Sequence, residues 1–140
     1  MAVRAVFPAL IGNETIKSIL AADLAKDTGA HAYILEGPRG SGKHTAALQI
    51  AAAVLCENRG DPNRPLPCGS CSACRKILGG FSVDVMTVTN GDKASLGVDA
   101  IRAVKESLYV TPNDGEKKFY LIENAHLMTT QAQNALLLSL

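Results

Sequence analysis

A glycine-rich loop at residues 37–45, Gly-Pro-Arg-Gly-Ser-Gly-Lys-His-Thr, constrains the fold of this 140-residue chain more than any other feature. Gly37, Gly42 and Lys43 meet the pattern G-x-x-x-x-G-K of a phosphate-binding loop. Its backbone N–H groups wrap the phosphates, and glycines allow the close approach. The helix that follows directs its positive end at the same anion. The pattern therefore predicts a phosphate or nucleotide site formed by Gly37, Gly40, Ser41, Gly42, Lys43, His44 and Thr45.

The residue after the lysine departs from the pattern. Ser or Thr at this position supplies a hydroxyl ligand for Mg²⁺, a hard ion that prefers oxygen, but here the residue is His44. Thr45 does not restore the ligand, because one residue along a helix turns the side chain by about 100°. The loop therefore predicts a nucleotide fold and a site without magnesium.

A phosphate-binding loop needs a strand before it and a helix after it. Residues 32–36, Ala-Tyr-Ile-Leu-Glu, form a short apolar run and predict the strand. Residues 45–55 are rich in Ala and Leu and predict the helix. Both conditions are met, which favours a phosphate-binding loop over a glycine-rich turn without function.

Composition limits the classes of protein. The length suits one domain, and a hydrophobic fraction of 47% is enough for a packed core. A net charge of +1 gives no polybasic surface, so DNA contact is expected to be local or made by partners. We find no signal peptide and no apolar run of about 18 residues, which predicts a cytoplasmic protein without a membrane span.

Four cysteines follow the loop helix with the spacing C-x₁₁-C-x₂-C-x₂-C, namely Cys56, Cys68, Cys71 and Cys74. In a reducing compartment such a cluster indicates a closed structural Zn²⁺ site, with no open position for catalysis. We place an inserted zinc module at residues 56–80, with a short helix at residues 70–78 ended by two glycines. A disulfide pair and an iron–sulfur cluster remain alternatives, although the further Cys-Pro typical of the cluster pattern is absent.

The second half of the chain repeats the alternation of strand and helix. Residues 84–89 predict a strand, and an amphipathic helix is expected to begin near Asp99. Residues 112–115 predict a turn, and residues 118–124 a third strand. The last segment, residues 130–140, predicts a buried helix with Thr130 and Gln133 as a capping box.

The end of the third predicted strand bears on catalysis. A nucleotide hydrolase of this class has an Asp for Mg²⁺ and then a Glu that activates water at this point, whereas this chain has Glu123 and Asn124. Asn124 cannot accept a proton as a general base. We interpret the pair as a degenerate Walker B motif and predict no catalytic residue. Ordinary polar residues that end a buried strand are the alternative.

These features together resemble the δ′ subunits of the bacterial DNA polymerase III clamp loader, which are AAA+ proteins. The segments that carry the resemblance are residues 11–12, 31–38, 96–102 and 133–137 and the four cysteines. The resemblance implies an α/β fold, a P-loop NTPase (AAA+) parallel sheet flanked by helices, truncated and with the inserted zinc module. Residues 1–140 would form the N-terminal part of the domain. The τ/γ subunits are similar in fold, but have Thr or Ser after the lysine and Asp-Glu after the third strand.

The resemblance implies a non-catalytic subunit of the polymerase III holoenzyme, with structural zinc and with ATP, phosphate or sulfate held at the loop without hydrolysis. Its partners would be the τ/γ and δ subunits and, through the complex, the sliding clamp and primed DNA. Two alternatives are an ATP-hydrolysing τ/γ-type subunit and a zinc-dependent interaction module unrelated to replication.

The chain looks like an N-terminal fragment, with the family's arginine finger and collar beyond it. The implied strand order is 5-1-4-3-2, and strand 4 would be missing. We therefore expect residues 33–36 to pair directly with residues 119–122, or the fragment to self-associate.

Overall fold

A computed structural model describes residues 6–24, 32–108 and 117–137. The chain divides into two compact units, Met1–Ser82 and Val83–Leu140. Each unit has its own buried residues and its own elements of secondary structure, and each is described by itself.

The described part of the first unit is helical. It contains α1 (Glu14–Leu24), α2 (Lys43–Leu55) and α3 (Ser72–Leu78). Three consecutive alanines of α2, at residues 51–53, are buried, and α2 packs against α3. Alanine favours helix and leaves room for a neighbouring helix to approach closely. Ile77 of α3 is buried in the same unit.

The start of the described chain is attached to the loop between α2 and α3. Val6 forms a parallel bridge with Leu66, and the Phe7 backbone N–H donates to the Leu66 carbonyl at 2.7 Å. The Phe7 side chain is fully buried. This contact holds a loop whose Pro-, Asn- and Asp-rich sequence cannot form a core of its own.

The second unit contains a βαβ element. The strands β1 (Val85–Val88) and β2 (Phe119–Ile122) are parallel, with Val85 opposite Phe119 and Val88 opposite Ile122. The connection between them includes α4 (Val98–Leu108), as a parallel pair requires a crossover. A 3₁₀ helix (Ala125–Leu127) and α5 (Thr130–Leu137) follow.

The core of the second unit lies where the sheet meets the two helices. Val88, Leu96 and Val104 form a buried cluster, and Ile101 and Ala132 are fully buried. Leu96 also forms an isolated parallel bridge with Met128, closed by hydrogen bonds of 2.8 Å and 3.0 Å. The bridge brings the segment before α4 beside the segment before α5.

Most predicted elements of this mixed α/β fold are confirmed. The helix after the loop, the short helix of the cysteine module, the helix near Asp99 and the strands at residues 84–89 and 118–124 all form within a few residues of their predicted limits. The sheet is small and parallel, in agreement with the predicted fold class.

The predicted strand at residues 32–36 is wrong. These residues have no strand assignment, and the Ile34 side chain is 95% exposed. A strand is maintained when a neighbour takes up its backbone hydrogen bonds, and an apolar sequence alone does not supply that neighbour. The predicted pairing of residues 33–36 with residues 119–122 is therefore also wrong. Residues 119–122 pair with residues 85–88, which confirms that the second and third predicted strands are neighbours. Self-association stays a prediction.

The capping residue of the last helix lies one position before Thr130, the residue that the sequence predicted. Thr129 is the capping residue, because its hydroxyl accepts from the Ala132 backbone N–H at 3.1 Å. Gln133 donates from its side chain to the Met128 carbonyl at 3.1 Å and does not complete a capping box with Thr130. Two adjacent threonines make the position ambiguous in the sequence.

The predicted burial of the last helix is wrong for its final described residue. Leu137 is 66% exposed, while Ala132 is the fully buried residue of α5. A helix buries one face, so a run of leucines places some of them outside. The rest of this run, residues 138–140, and the predicted turn at residues 112–115 lie outside the described residues.

Candidate metal centre and phosphate loop

The four cysteines are positioned by the ends of two packed helices. Cys56 caps the C-terminus of α2, and Cys71 is the N-cap of α3. Cys74 lies in the first turn of α3, and Cys68 lies in the loop that precedes it. The Cys71 thiol accepts from the Cys74 backbone N–H at 3.4 Å, so this cysteine caps the helix as a serine would.

The four sulfur atoms converge on one point. They all lie within 4.8 Å of one another, and the sulfurs of Cys68 and Cys74 are 3.9 Å apart. A tetrahedral ion with metal–sulfur bonds of about 2.3 Å requires sulfur–sulfur distances of about 3.8 Å. All four cysteines are free thiols. The set therefore fits one four-coordinate metal ion.

The sulfurs are shielded from solvent to different degrees. Cys56, Cys71 and Cys74 are buried, whereas Cys68 is only partly buried. Cys68 compensates with more hydrogen bonds: its sulfur accepts from the Asn58 side chain at 3.4 Å, the Cys71 backbone at 3.3 Å and the Ser70 hydroxyl at 3.7 Å. N–H and O–H donors stabilise a thiolate and hence a metal-binding charge state.

The thiol pKa values are raised for two buried cysteines and lowered for the partly buried Cys68. Burial raises the pKa of Cys56, and burial likewise raises the pKa of Cys74. Burial also acts to raise the pKa of Cys68, but hydrogen bonds from Asn58, Ser70 and Cys71 outweigh it and lower the pKa to about 5. Hydrogen bonding thus favours the charged form of Cys68, whereas burial favours the neutral forms of Cys56 and Cys74.

The phosphate loop is shaped by its glycines. Gly40 and Gly42 have φ angles of 82° and 89°, in the left-handed region that glycine adopts without a steric cost. A Cβ atom at Gly37 would lie 2.7 Å from the Ser41 hydroxyl oxygen. The loop thus needs glycine for its turn and for its close packing, as the sequence pattern requires.

Lys43 closes the loop on itself. Its ammonium donates to the Gly37 carbonyl at 2.6 Å, and the Ser41 backbone N–H donates to Pro38 at 3.2 Å. Ser41, Lys43, His44 and Thr45 are all exposed at the start of α2. The predicted phosphate residues are therefore contiguous and open to solvent, with the lysine turned toward the loop backbone.

Tyr33 connects the segment before the loop to α1. Its hydroxyl donates to the Asp23 carboxylate. Partial burial raises the pKa of Tyr33 to about 12, and the hydrogen bond and negative charge of Asp23 act in the same direction. The phenol is therefore neutral at physiological pH and stays a donor to Asp23.

Glu123 and Asn124 directly follow β2 in the second unit. The Glu123 backbone N–H donates to the Val88 carbonyl at 2.8 Å and extends the parallel ladder by one bond. Asn124 has a φ angle of 55°, a left-handed conformation that Asn tolerates better than most residues. Its side-chain amide donates to the Asn90 side-chain oxygen at 3.1 Å.

Asn90 also belongs to a feature that the sequence prediction missed. An open cleft of about 420 Å³ is lined by Asn90, Lys93, Gly97 and Asp99, among others. The sequence indicated only a polar loop here. The Asn90-Gly91 pair, typical of a turn, is the signal that could have placed a bend directly after β1.

The structure brings some of the predicted site residues together. The four cysteines form one cluster, the loop residues form one turn, and Glu123 and Asn124 are adjacent. The cluster and the loop belong to the first unit, while Glu123 and Asn124 belong to the second. Asn58 was missed, because its role depends on a hydrogen bond across ten residues of irregular loop.

No helix among the described residues is long and apolar enough to cross a membrane.

Comparisons with known proteins identify the family. A family model described as DNA polymerase III, delta subunit, matches residues 12–140. The tau subunit of DNA polymerase III from Bacillus subtilis is 37% identical over 135 residues, which cover 96% of this chain and 23% of that protein. The delta′ subunit from the same organism is 35% identical over 122 residues, which cover 87% of this chain and 36% of that protein.

A relative of lower identity gives the same result. The tau subunit from Escherichia coli is 31% identical over 134 residues, which cover 96% of this chain and 20% of that protein. The chain spans about a fifth to a third of the length of these curated relatives. Since the family model matches nearly the whole chain, the chain belongs to the DNA polymerase III clamp-loader family, which includes tau, gamma and delta′ subunits.

Proposed function

We propose that the chain acts as a non-catalytic subunit of the DNA polymerase III clamp loader, of the delta′ type. It would help ATPase partners to load a sliding clamp onto primed DNA. The partners would be the tau/gamma and delta subunits, with the clamp and DNA reached through the complex. Such work is done at the bacterial chromosome, so we also propose a cytoplasmic location.

Asn124 carries this proposal. It occupies the position after β2 at which a nucleotide hydrolase needs a carboxylate to activate water. A neutral amide has no oxygen of useful basicity, and this amide is a hydrogen-bond donor to Asn90. The arrangement supports a residue that ties two loops together and does not remove a proton.

His44 supports the same proposal from the phosphate loop. An imidazole is a poor substitute for the hydroxyl that binds Mg²⁺. The glycine turns and Lys43 still provide backbone N–H groups and a positive charge. We therefore propose that Gly37, Gly40, Ser41, Gly42, Lys43, His44 and Thr45 can hold phosphate, sulfate or ATP without hydrolysing it.

For the four cysteines we propose a structural zinc ion. Four sulfurs around one point suit the tetrahedral preference of Zn²⁺ and leave no open position. A four-iron cluster places its thiolates on four different metal atoms and needs them farther apart, which disfavours that alternative. The ion would hold the end of α2 to the start of α3.

A tau/gamma-type ATPase is the second candidate. The identity to the Bacillus subtilis tau subunit, 37% over 96% of this chain, is at least as high as that to the delta′ subunit, 35% over 87%. Overall identity thus does not separate the two roles, and the proposal depends on His44 and Asn124.

ATP turnover by the full-length protein tests the choice. The protein is assayed alone and together with its partner subunits, and Lys43→Ala is compared with the wild type. Arg39→Ala is the matched control, since Arg39 is an exposed cation in the same loop. We expect the protein alone to hydrolyse no ATP, and we expect the complex to hydrolyse ATP at the same rate with Lys43→Ala as with the wild type. Hydrolysis that Lys43→Ala removes and Arg39→Ala leaves would establish the ATPase role instead.

A further inference from the structure

Asn58 contacts two of the four sulfurs at once. Its backbone N–H donates to the Cys56 sulfur at 3.4 Å, and its side-chain amide donates to the Cys68 sulfur at 3.4 Å. Cys56 ends α2, whereas Cys68 lies beyond the irregular loop. The residue therefore joins the two arms of the cysteine cluster through two bonds to sulfur.

The side-chain bond differs from the other donors to Cys68. Ser70 and Cys71 lie two and three residues from Cys68, so their bonds shape only the local turn. The bond from Asn58 spans ten residues. It therefore helps to fix Cys68 relative to the end of α2, together with the hydrogen bonds that Cys68 itself makes to Cys56 and Cys74.

Cys68 is also the exposed corner of the cluster. The other three cysteines are buried, and Cys68 is only partly so. Water and competing ligands reach a bound metal through the least protected thiolate. A donor that holds this thiolate in place and reduces its negative charge density therefore has the greatest influence on how slowly a metal leaves.

We propose that Asn58 is a positioning residue of the metal site, which holds Cys68 in the ligand set and sets the rate of metal release. This inference rests on the proposed metal site. The residue is not itself a ligand. Its backbone N–H and its side-chain amide donate hydrogen bonds to the sulfurs of Cys56 and Cys68, and so connect the two parts of the cysteine cluster.

The test uses the full-length protein loaded with zinc. Asn58→Asp replaces the amide donor with a carboxylate of the same shape, and Asn58→Ala removes the side chain. Asn63→Asp is the matched control, because it adds the same charge to the same loop. None of the sulfur hydrogen bonds in the described part of the chain comes from Asn63. Zinc release into an excess of a chelating dye gives the dissociation rate.

We expect Asn58→Asp and Asn58→Ala to release zinc about 10–100-fold faster than the wild type, and Asn63→Asp to stay within about twofold. Replacing zinc with Co²⁺ gives a second readout. Loss of an N–H···S bond makes the thiolate a better electron donor, so the sulfur-to-cobalt charge-transfer band should move to longer wavelength only in the Asn58 variants.

Release from both Asn58 variants as slow as from Asn63→Asp, with an unshifted cobalt band, would overturn the inference and leave the metal site standing. A wild-type protein that retains no zinc and gives no cobalt–thiolate band would overturn the proposed metal site, and this inference with it. Should Asn58→Asp not fold at saturating zinc, Asn58→Ala supplies the same two readouts.

Discussion

The cysteine cluster and the phosphate loop are both strong sequence motifs, but the structure treats them differently. The cluster is mostly buried, and its sulfurs accept hydrogen bonds from Asn58, Ser70, Cys71 and Cys74. The loop is exposed and is held by glycine backbone angles and by hydrogen bonds from Lys43 to the Gly37 carbonyl and from the Ser41 backbone N–H to the Pro38 carbonyl.

The difference shows what each motif requires of its surroundings. The cluster depends on side chains that converge from distant positions, so the surrounding fold must be correct for the site to exist. The loop depends on local dihedral angles, which the chain can keep even where no reaction is catalysed. A loop with the phosphate-binding sequence is therefore weak evidence for ATP hydrolysis. Four cysteine sulfurs that lie close together are stronger evidence for a metal site.

The largest expected effect comes from removing one buried sulfur. Cys74→Ser should abolish metal retention, because it replaces one of the four converging sulfurs with a hydroxyl at a fully buried position. A structural zinc contributes about 10–16 kcal/mol to the folding of small zinc peptides, so the cysteine module should unfold. Metal content and thermal unfolding measure this, with the exposed Ser72→Ala as control. A variant that keeps one zinc per chain would contradict it.

Acid should weaken the cluster next most strongly. Metal binding needs thiolates, and the pKa values of Cys56 and Cys74 are raised by burial, so at least these two protons leave on binding at neutral pH. Cys68, with a pKa of about 5, is already ionised there and adds no slope. Affinity should therefore fall by at least about 100-fold per pH unit from pH 7.5 to 6.5.

Competition with a chelator of known pH dependence measures this slope. A fall of about tenfold per unit or less would mean that at most one proton is released, and would refute the release of protons from both Cys56 and Cys74.

An effect of intermediate size is expected from the loop backbone. Gly42→Ala puts a Cβ on a residue with a φ angle of 89° and should lower the free energy of unfolding by about 1–2 kcal/mol. Gly60→Ala is the control, since Gly60 has open space around its Cβ position and no left-handed φ. Urea unfolding compares the two. Equal stabilities would show that the loop tolerates a different backbone path.

The smallest expected change in stability comes from Lys43. Lys43→Ala removes one exposed hydrogen bond to the Gly37 carbonyl, so the free energy of unfolding should fall by less than about 1 kcal/mol. Binding of inorganic phosphate, measured by calorimetry, should nevertheless be lost, whereas Arg39→Ala should keep it. Unchanged phosphate binding by Lys43→Ala would show that the loop does not hold anions through this lysine.

Local patterns in the sequence predicted much of this fold. The Ala-rich segment after the loop forms α2, and the segment from Val98 to Leu108, whose apolar residues recur every three to four positions, forms α4. The short spacings between the four cysteines predicted that their sulfur atoms lie close together, as they do. In each case neighbours along the chain determine the outcome, which a sequence displays directly.

Features that depend on distant partners could not be predicted in the same way. Residues 32–36 have a strand-like sequence but no described strand beside them. The choice of Thr129 over Thr130 as a cap depends on where Met128 is held by Leu96. The bond from Asn58 to Cys68 requires the path of a loop without regular structure. No periodicity in the sequence encodes such contacts.

Helix α2 begins at Lys43 and is capped by Cys56, so a single helix of about 20 Å carries the glycine-rich loop at one end and the first cysteine of the cluster at the other. Inserting one residue into this helix would rotate one end against the other by about 100° and lengthen it by about 1.5 Å. Cys56 would then no longer lie beside the other three cysteines, or the loop would change its orientation relative to them. Substitutions on the exposed side of α2 can therefore accumulate over evolution, whereas its length of 13 residues is fixed from both ends.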